Sequence, residues 1–330
     1  MKRKTDIIIS LGVIVLILTG IAIYKDYFRP FSTSSEWVKE ELVLTSEDYN
    51  IQNPAIIKLP NGCWRMYTHG WRRGVDENNI YSFYSCDGLK WKSEDMRIKD
   101  AAMPTAVILE DGRTRLYFQR GIEKNDGSAG QALMSAISDD GLNFVIENGP
   151  RLVAGEGELK GIKTMAHFEI VKLEKGYRIY FDEGGILAGD IYKGTGWNWQ
   201  VIRVRSIYSE DGLNWLLEPG IRIDVDQQFL MNGGSSVSVI KIGDKYHMYL
   251  YIGFSPWEDW KPWKRWEWSG TYEAISDDGL NFTIIDKRLV LGGDVEVVKT
   301  DDVLRMYVSA GVPKGTSAPN DIYSYTKKLP

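Results

Sequence analysis

Beyond its first thirty residues the chain runs in short segments rich in β-branched and aromatic residues. Each is bounded by Gly, Asn or Asp. That pattern predicts strands and turns. The segments also repeat. One turn occurs four times: SCDGLKW at 85–91, SDDGLNF at 138–144, SEDGLNW at 209–215 and SDDGLNF at 276–282. Before each lies a second element, WRMY at 64–67, TRLY at 114–117, YRIY at 177–180 and YHMY at 246–249, with a fifth copy, LRMY, at 304–307. A third element lies further upstream: NPAIIKL at 53–59, MPTAVIL at 103–109, HFEIVKL at 167–173, SVSVIKI at 236–242 and DVEVVKT at 294–300. Each unit therefore reads as strand a, strand b, strand c, the S-x-D-G turn and strand d. The copies lie 50–71 residues apart, the size of a four-stranded propeller blade.

The fifth unit stops after strand c, DIYSYTKKL. Its missing outer strand has a candidate near the other end of the chain, SEWVKEELVL at 35–44, where Trp37 matches Trp215 and Phe282. An N-terminal strand in that place closes the ring and removes an open edge. The expectation is an all-β, five-bladed β-propeller over residues 35–330. Residues repeated in every blade then read as scaffold: Asp87, Asp140, Asp211 and Asp278 in the turns, and Arg65, Arg115, Arg178 and Arg305 before the strand b tyrosine. His247 takes the arginine slot in blade 4 and reads as a packing histidine.

The first thirty residues have another character. Ile7 to Tyr24 hold 18 residues without a charge, preceded by Lys2, Arg3 and Lys4. As a helix they span about 27 Å, close to a bilayer core. The expectation is a cytoplasmic tip and signal anchor over 1–30, a linker at 31–34, and a single-pass protein of the cell membrane with its propeller outside. A cleaved signal peptide is the rival reading, although no A-x-A site follows the apolar run. A buried core helix is the third.

Composition narrows the partners. The net charge is −5, and residues 1–30 carry five basic and two acidic groups, so the other 300 residues carry about −8. Such a body does not suit nucleic acid. With two cysteines, three histidines, and neither CxxC nor EF-hand spacing, no metal or other cofactor is expected. Cys63 opens strand b of blade 1 and Cys86 ends strand c, so the two face each other across the hairpin. A disulfide and two buried thiols are the alternatives.

Candidate chemistry lies where the blades differ. In a propeller the d-to-a and b-to-c connections share one face, and the long segments 145–165, 184–203, 219–235 and 252–270 fall there. The first residue of strand a is Asn53, Met103, His167, Ser236 and Asp294 in turn, and two residues on it is Ala55, Thr105, Glu169, Ser238 and Glu296. Strand b ends on His69-Gly70, Gln119-Arg120, Asp182-Glu183, Tyr251-Ile252 and Ser309-Ala310. Paired carboxylates across a cleft are what glycosidic cleavage needs. Glu169 is the preferred acid and Asp294 the preferred base, with Glu183 as the next carboxylate. Asn53, His69, Arg120, His167, Asp182 and Tyr251 are candidates to bind substrate. The opposing reading is a buried ion-pair network that plugs the channel. The segment SPWEDWKPWKRWEWSG at 255–270 adds five tryptophans. Trp257 and Trp260 offer flat faces to a pyranose, with lid packing and membrane contact as the other readings.

The blade count, the xPxxxxLxxGxxRxY strand pair and the SxDGLxW turns resemble the five-bladed propeller glycoside hydrolases. These are the β-fructosidases and α-arabinanases of families 32 and 43 and relatives such as family 130. The resemblance covers about 300 residues. The turns are also similar to the Asp-box of sialidases, one residue shorter. The resemblance implies a carbohydrate-active protein acting on an oligo- or polysaccharide. It further implies a nucleophile or base Asp at the start of the first strand a, where this chain has Asn53. An amide cannot do that work. Either the carboxylates have moved to blades 3 and 5, or the protein binds or helps assemble glycans without cleaving them.

Overall fold

The structure is a computed structural model that describes residues 32–33, 36–44, 49–72, 78–124, 127–187, 200–224, 231–254, 269–310 and 321–329. The expected 7–24 anchor lies outside them, as does the tryptophan-rich segment with Trp257 and Trp260. Among the described residues no helix is long and apolar enough to cross a membrane.

Five antiparallel sheets form the ring. Blade 1 comprises Tyr49–Lys58, Trp64–Arg72, Asn79–Ser85 and Lys92–Ile98. Blade 2 comprises Ala102–Ile108, Thr114–Glu123 and Ala129–Ser138, with its outer edge split into Val145–Ile146 and Leu152–Val153. Blade 3 comprises Thr164–Lys172, Tyr177–Leu187, Gln200–Ser209 and Leu216–Leu217. Blade 4 comprises Met231–Ile242, Lys245–Phe254, Gly270–Ser276 and Thr283–Val290. Blade 5 takes Gly293–Lys299, Val303–Ala310 and Asp321–Lys328 from the end of the sequence and Val38–Leu44 from its beginning. The N-terminal strand thus completes the last blade. Ser32–Thr33, within the expected linker, instead form a short parallel strand on Lys287 and Arg288 at the outer edge of blade 4. Cys63 and Cys86 are disulfide-bonded, with Cα atoms 4.1 Å apart.

The apolar residues form five clusters, one at each seam between blades. The repeated turn explains how the seams are fixed. Tyr67, Tyr117, Tyr180 and Tyr307 donate to the carbonyls of Gly141, Gly212, Gly279 and Gly88 on the next blade at 2.7–2.8 Å. Arg65, Arg115, Arg178 and Arg305 donate to the carbonyls of Asp140, Asp211, Asp278 and Asp87. Each arginine also pairs with a glutamate of its own outer strand: Glu94, Glu147, Glu218 and Glu40. The turn glycines have φ of 69–74°, and a Cβ there would stand 2.5–2.8 Å from the arginine Nη1. Both the backbone angle and the space require Gly.

The seam between blades 4 and 5 departs from this pattern for a reason. Blade 5 takes its outer strand from the N-terminal side of the sequence, so no S-x-D-G turn exists there to accept the bonds. There the arginine slot holds His247, which pairs with Glu273 of its own blade at 2.7 Å. The aromatic contact persists: Trp37 meets Tyr249 edge-on at 5.7 Å, as Trp215 meets Tyr117.

Removing one seam bond tests this account. Tyr67→Phe removes the donor to the buried carbonyl of Gly141 and should cost about 1–3 kcal/mol in urea unfolding. An unchanged midpoint would show that the hydroxyl does not hold the seam.

Candidate functional site

Strand a of every blade carries a β-bulge near its start. The bulged residues are Asn53, Met103, His167, Ser236 and Asp294, all at φ of 46–54°. For residues other than glycine this left-handed backbone costs roughly 1 kcal/mol each. Its fivefold repetition turns one side chain per blade into the funnel mouth. The same five residues line a common cavity with Glu169 and Glu296.

These side chains make contact across blades. Asp294 accepts from Asn53 Nδ2 at 3.1 Å and from Ser236 Oγ at 3.0 Å, and its Oδ1 lies 4.0 Å from His167 Nε2. On its far side His167 Nδ1 lies 2.6 Å from Asp182 Oδ2. Ser235 Oγ and the Ser236 N–H bind the same Asp182 oxygen. Asp182 is 3% exposed, whereas His167 and Asp294 are 22% and 21% exposed. Burial opposes charge on His167, but the carboxylates of Asp182 and Asp294 outweigh it and raise its pKa. His69 behaves oppositely: burial lowers it to about 4, against the pull of Asp294.

One pleat further in, a second ring forms the throat. The side chain of one blade there caps the inner-edge N–H of the next. Thr105 accepts from Ile170, Glu169 from Val239, Ser238 from Val297, and Glu296 from Ile56, at 2.9–3.1 Å. Ala55 occupies the fifth place without a polar atom. The cavity that the two rings share is about 20 Å³, room for about one water molecule. Burial, and the proximity of Glu296, push the Glu169 carboxyl well up. Burial likewise raises Glu296, against the Ile56 N–H.

The other expected site residues are placed as follows. Glu183 is buried against Arg205, 2.7 Å away, so its carboxylate serves an ion pair within blade 3. Arg120 does not enter the funnel: its guanidinium donates to the carbonyls of Asp100 and Lys99 at the seam of blades 1 and 2. The Tyr251 ring packs on Gly293, beside Asp294. Ser235 is a site residue that the sequence reading missed, and Glu296 had a place there but no role. Both positions follow from register, one slot before and two slots after the bulge. Among the described residues no group of three or more His, Cys, Asp or Glu is arranged to hold a metal ion.

No family model and no curated protein matches the chain. Solved structures do match in fold. A complex of BT0996 and RGII superposes with a TM-score of 0.68 at 15% identity, covering 92% of this protein and 93% of the other. The family 117 glycoside hydrolase Zg3597 of Zobellia galactanivorans gives 0.63 at 12%, covering 91% of each. The Bombyx mori GH32 β-fructofuranosidase BmSUC1 gives 0.64 at 12%; 94% of this protein spans 65% of that one. The protein therefore has the five-bladed fold of glycoside hydrolase propellers. At these identities the likeness speaks to fold.

The throat makes a pH prediction. A carboxyl raised on folding stabilises the fold below its unfolded pKa, and that contribution is lost as pH rises through the folded value. Glu296→Gln keeps an acceptor for Ile56 but cannot ionise. Relative to the parent, the variant should gain stability as pH rises from about 4.5. Parallel melting curves against pH would refute this by showing a constant difference.

Proposed function

We propose that the chain is a membrane-tethered, extracytoplasmic glycoside hydrolase acting on an oligo- or polysaccharide at the funnel mouth. Asp294 is the carboxylate facing the sugar, and His167 is the proton donor. The observation that carries this reading is the line Asp182–His167–Asp294. Asp182 holds Nδ1 at 2.6 Å and leaves Nε2 directed toward the mouth, 4.0 Å from Asp294. An imidazolium so held gives its Nε2 proton to the glycosidic oxygen as the bond to the anomeric carbon breaks. Asp294 attacks that carbon or takes a proton from the attacking water.

His167 suits the donor role better than Glu169. Burial raises the Glu169 pKa, but its carboxyl is taken up in capping the Val239 N–H one pleat inside the bulged residues. Glu183 is taken up by Arg205. The tether is the apolar run 7–24, with Lys2, Arg3 and Lys4 on its cytoplasmic side.

Asn53 favours a second reading, a glycan-binding or assembly propeller without chemistry. Its amide stands where the family places a carboxylate, and it donates to Asp294.

Full-length protein in lipid nanodiscs, incubated with a broad oligosaccharide panel and read by mass spectrometry, tests both. The parent should release sugars, and Asp294→Asn should lower the rate about a hundredfold or more. Asp182→Asn removes the charge that raises His167. Its alkaline limb should therefore move to lower pH, since the donor works only below its pKa. Retention of glycans without release would favour the binding reading. Neither release nor retention would remove both.

A further inference from the structure

Outside the funnel, the seam of blades 1 and 2 opens into a groove of about 730 Å³, lined by Arg97, Lys99, Arg120, Phe144 and Ile146 among others. We infer that this groove is a second saccharide subsite, selective for a carboxylate or phosphate carried on a glycan. The inference rests on the carbohydrate reading, but not on cleavage.

Two guanidinium groups from different blades are fixed here. Arg97 donates to the carbonyls of Leu142, Asp95 and Glu94, and Arg120 to those of Lys99 and Asp100. Backbone carbonyls orient a guanidinium without neutralising it. Arg65, Arg113, Arg115, Arg178, Arg203, Arg205 and Arg305 instead sit in ion pairs with carboxylates. Among the described residues no ion pair joins Arg97 or Arg120 to a carboxylate. With Asp100 as the opposing charge, Arg97 and Arg120 give the lining a net positive charge on a body of the opposite sign. Positioned arginine forks favour planar carboxylates and phosphates.

The groove is also built to take a sugar chain. Phe144 supplies an aromatic side, and Ile146 beside it is 43% exposed. The groove shares no lining residue with the mouth cavity. A lipid headgroup fits the position less well. Ser32–Thr33 tie the N-terminal segment to blade 4, which lies across the ring from this seam.

Binding is measured on the full-length protein in zwitterionic nanodiscs. The probes are an oligogalacturonate, a poly(glycerol phosphate), a neutral dextran of similar length, and vesicles containing phosphatidylserine. At least one anionic glycan should bind, more weakly as salt rises, while dextran does not compete for the groove. Arg97→Gln with Arg120→Gln should weaken this binding about tenfold or more. Ile146→Glu, which changes only an exposed rim residue, should weaken it in the same direction. Lys175→Gln, at an exposed cation of blade 3 outside the groove, should leave it unchanged, which separates this site from general charge attraction. Whichever anion binds, galacturonate or glycerol phosphate, identifies the preferred group. Equal binding of anionic and neutral glycans would overturn the inference. So would affinity indifferent to both groove variants, or binding to the vesicles alone.

Discussion

The fold depends on hydrogen bonds that a blade cannot make by itself. A four-stranded sheet presents apolar faces to both neighbours, and such faces slide. What fixes them is a tyrosine hydroxyl and an arginine fork reaching into the turn of the next blade, at four of five seams. The turn must expose its carbonyls, so it needs glycine at positive φ, with no Cβ in the way. The turn Asp in turn binds the N–H groups of the two residues after the glycine, as Asp140 does with Leu142 and Asn143. One motif therefore recurs for one mechanical purpose.

That division of labour separates the two faces. The turn face is uniform because every seam needs the same contacts. The mouth face is free to vary, and its bulges hold one side chain per blade at the axis whatever the residue. Met103 and Asp294 share a backbone conformation and nothing else. A strained but repeated bulge thus makes a frame into which different chemistry can be set. The strain is tolerated because each bulge is bounded by a strand pair that continues on both sides.

Much of this was legible in the amino-acid sequence. Five repeats gave the blades, the incomplete fifth unit pointed to residues 35–44, and the repeated arginines and turn aspartates marked themselves as scaffold. The mouth residues were found by aligning blades. What sequence could not supply was direction. Asp182 and Glu183 are adjacent, and only strand alternation decides that one meets His167 while the other meets Arg205. Arg120 follows Gln119, yet one serves a seam and the other the mouth. Glu169 had the right height for an acid, but its role as a cap for Val239 exists only once blade 4 stands beside blade 3. Such contacts belong to the closed ring, and no single repeat encodes them.

The same reasoning bears on Asn53. Had blade 1 carried a carboxylate there, it would face Asp294 at hydrogen-bond distance, two like charges sharing one small space. An amide resolves the conflict: Asn53 donates to Asp294 and leaves one carboxylate at that side of the mouth. Its partner is then found across the axis in blade 3, where Asp182, buried and bound by Ser235 and the Ser236 N–H, holds an imidazole of raised pKa. The amide at blade 1 and the histidine at blade 3 therefore both face the one carboxylate of Asp294. Asp182 is a buried aspartate held against a partly exposed histidine. That pairing carries a cost in desolvation, and it fixes which ring nitrogen faces the solvent.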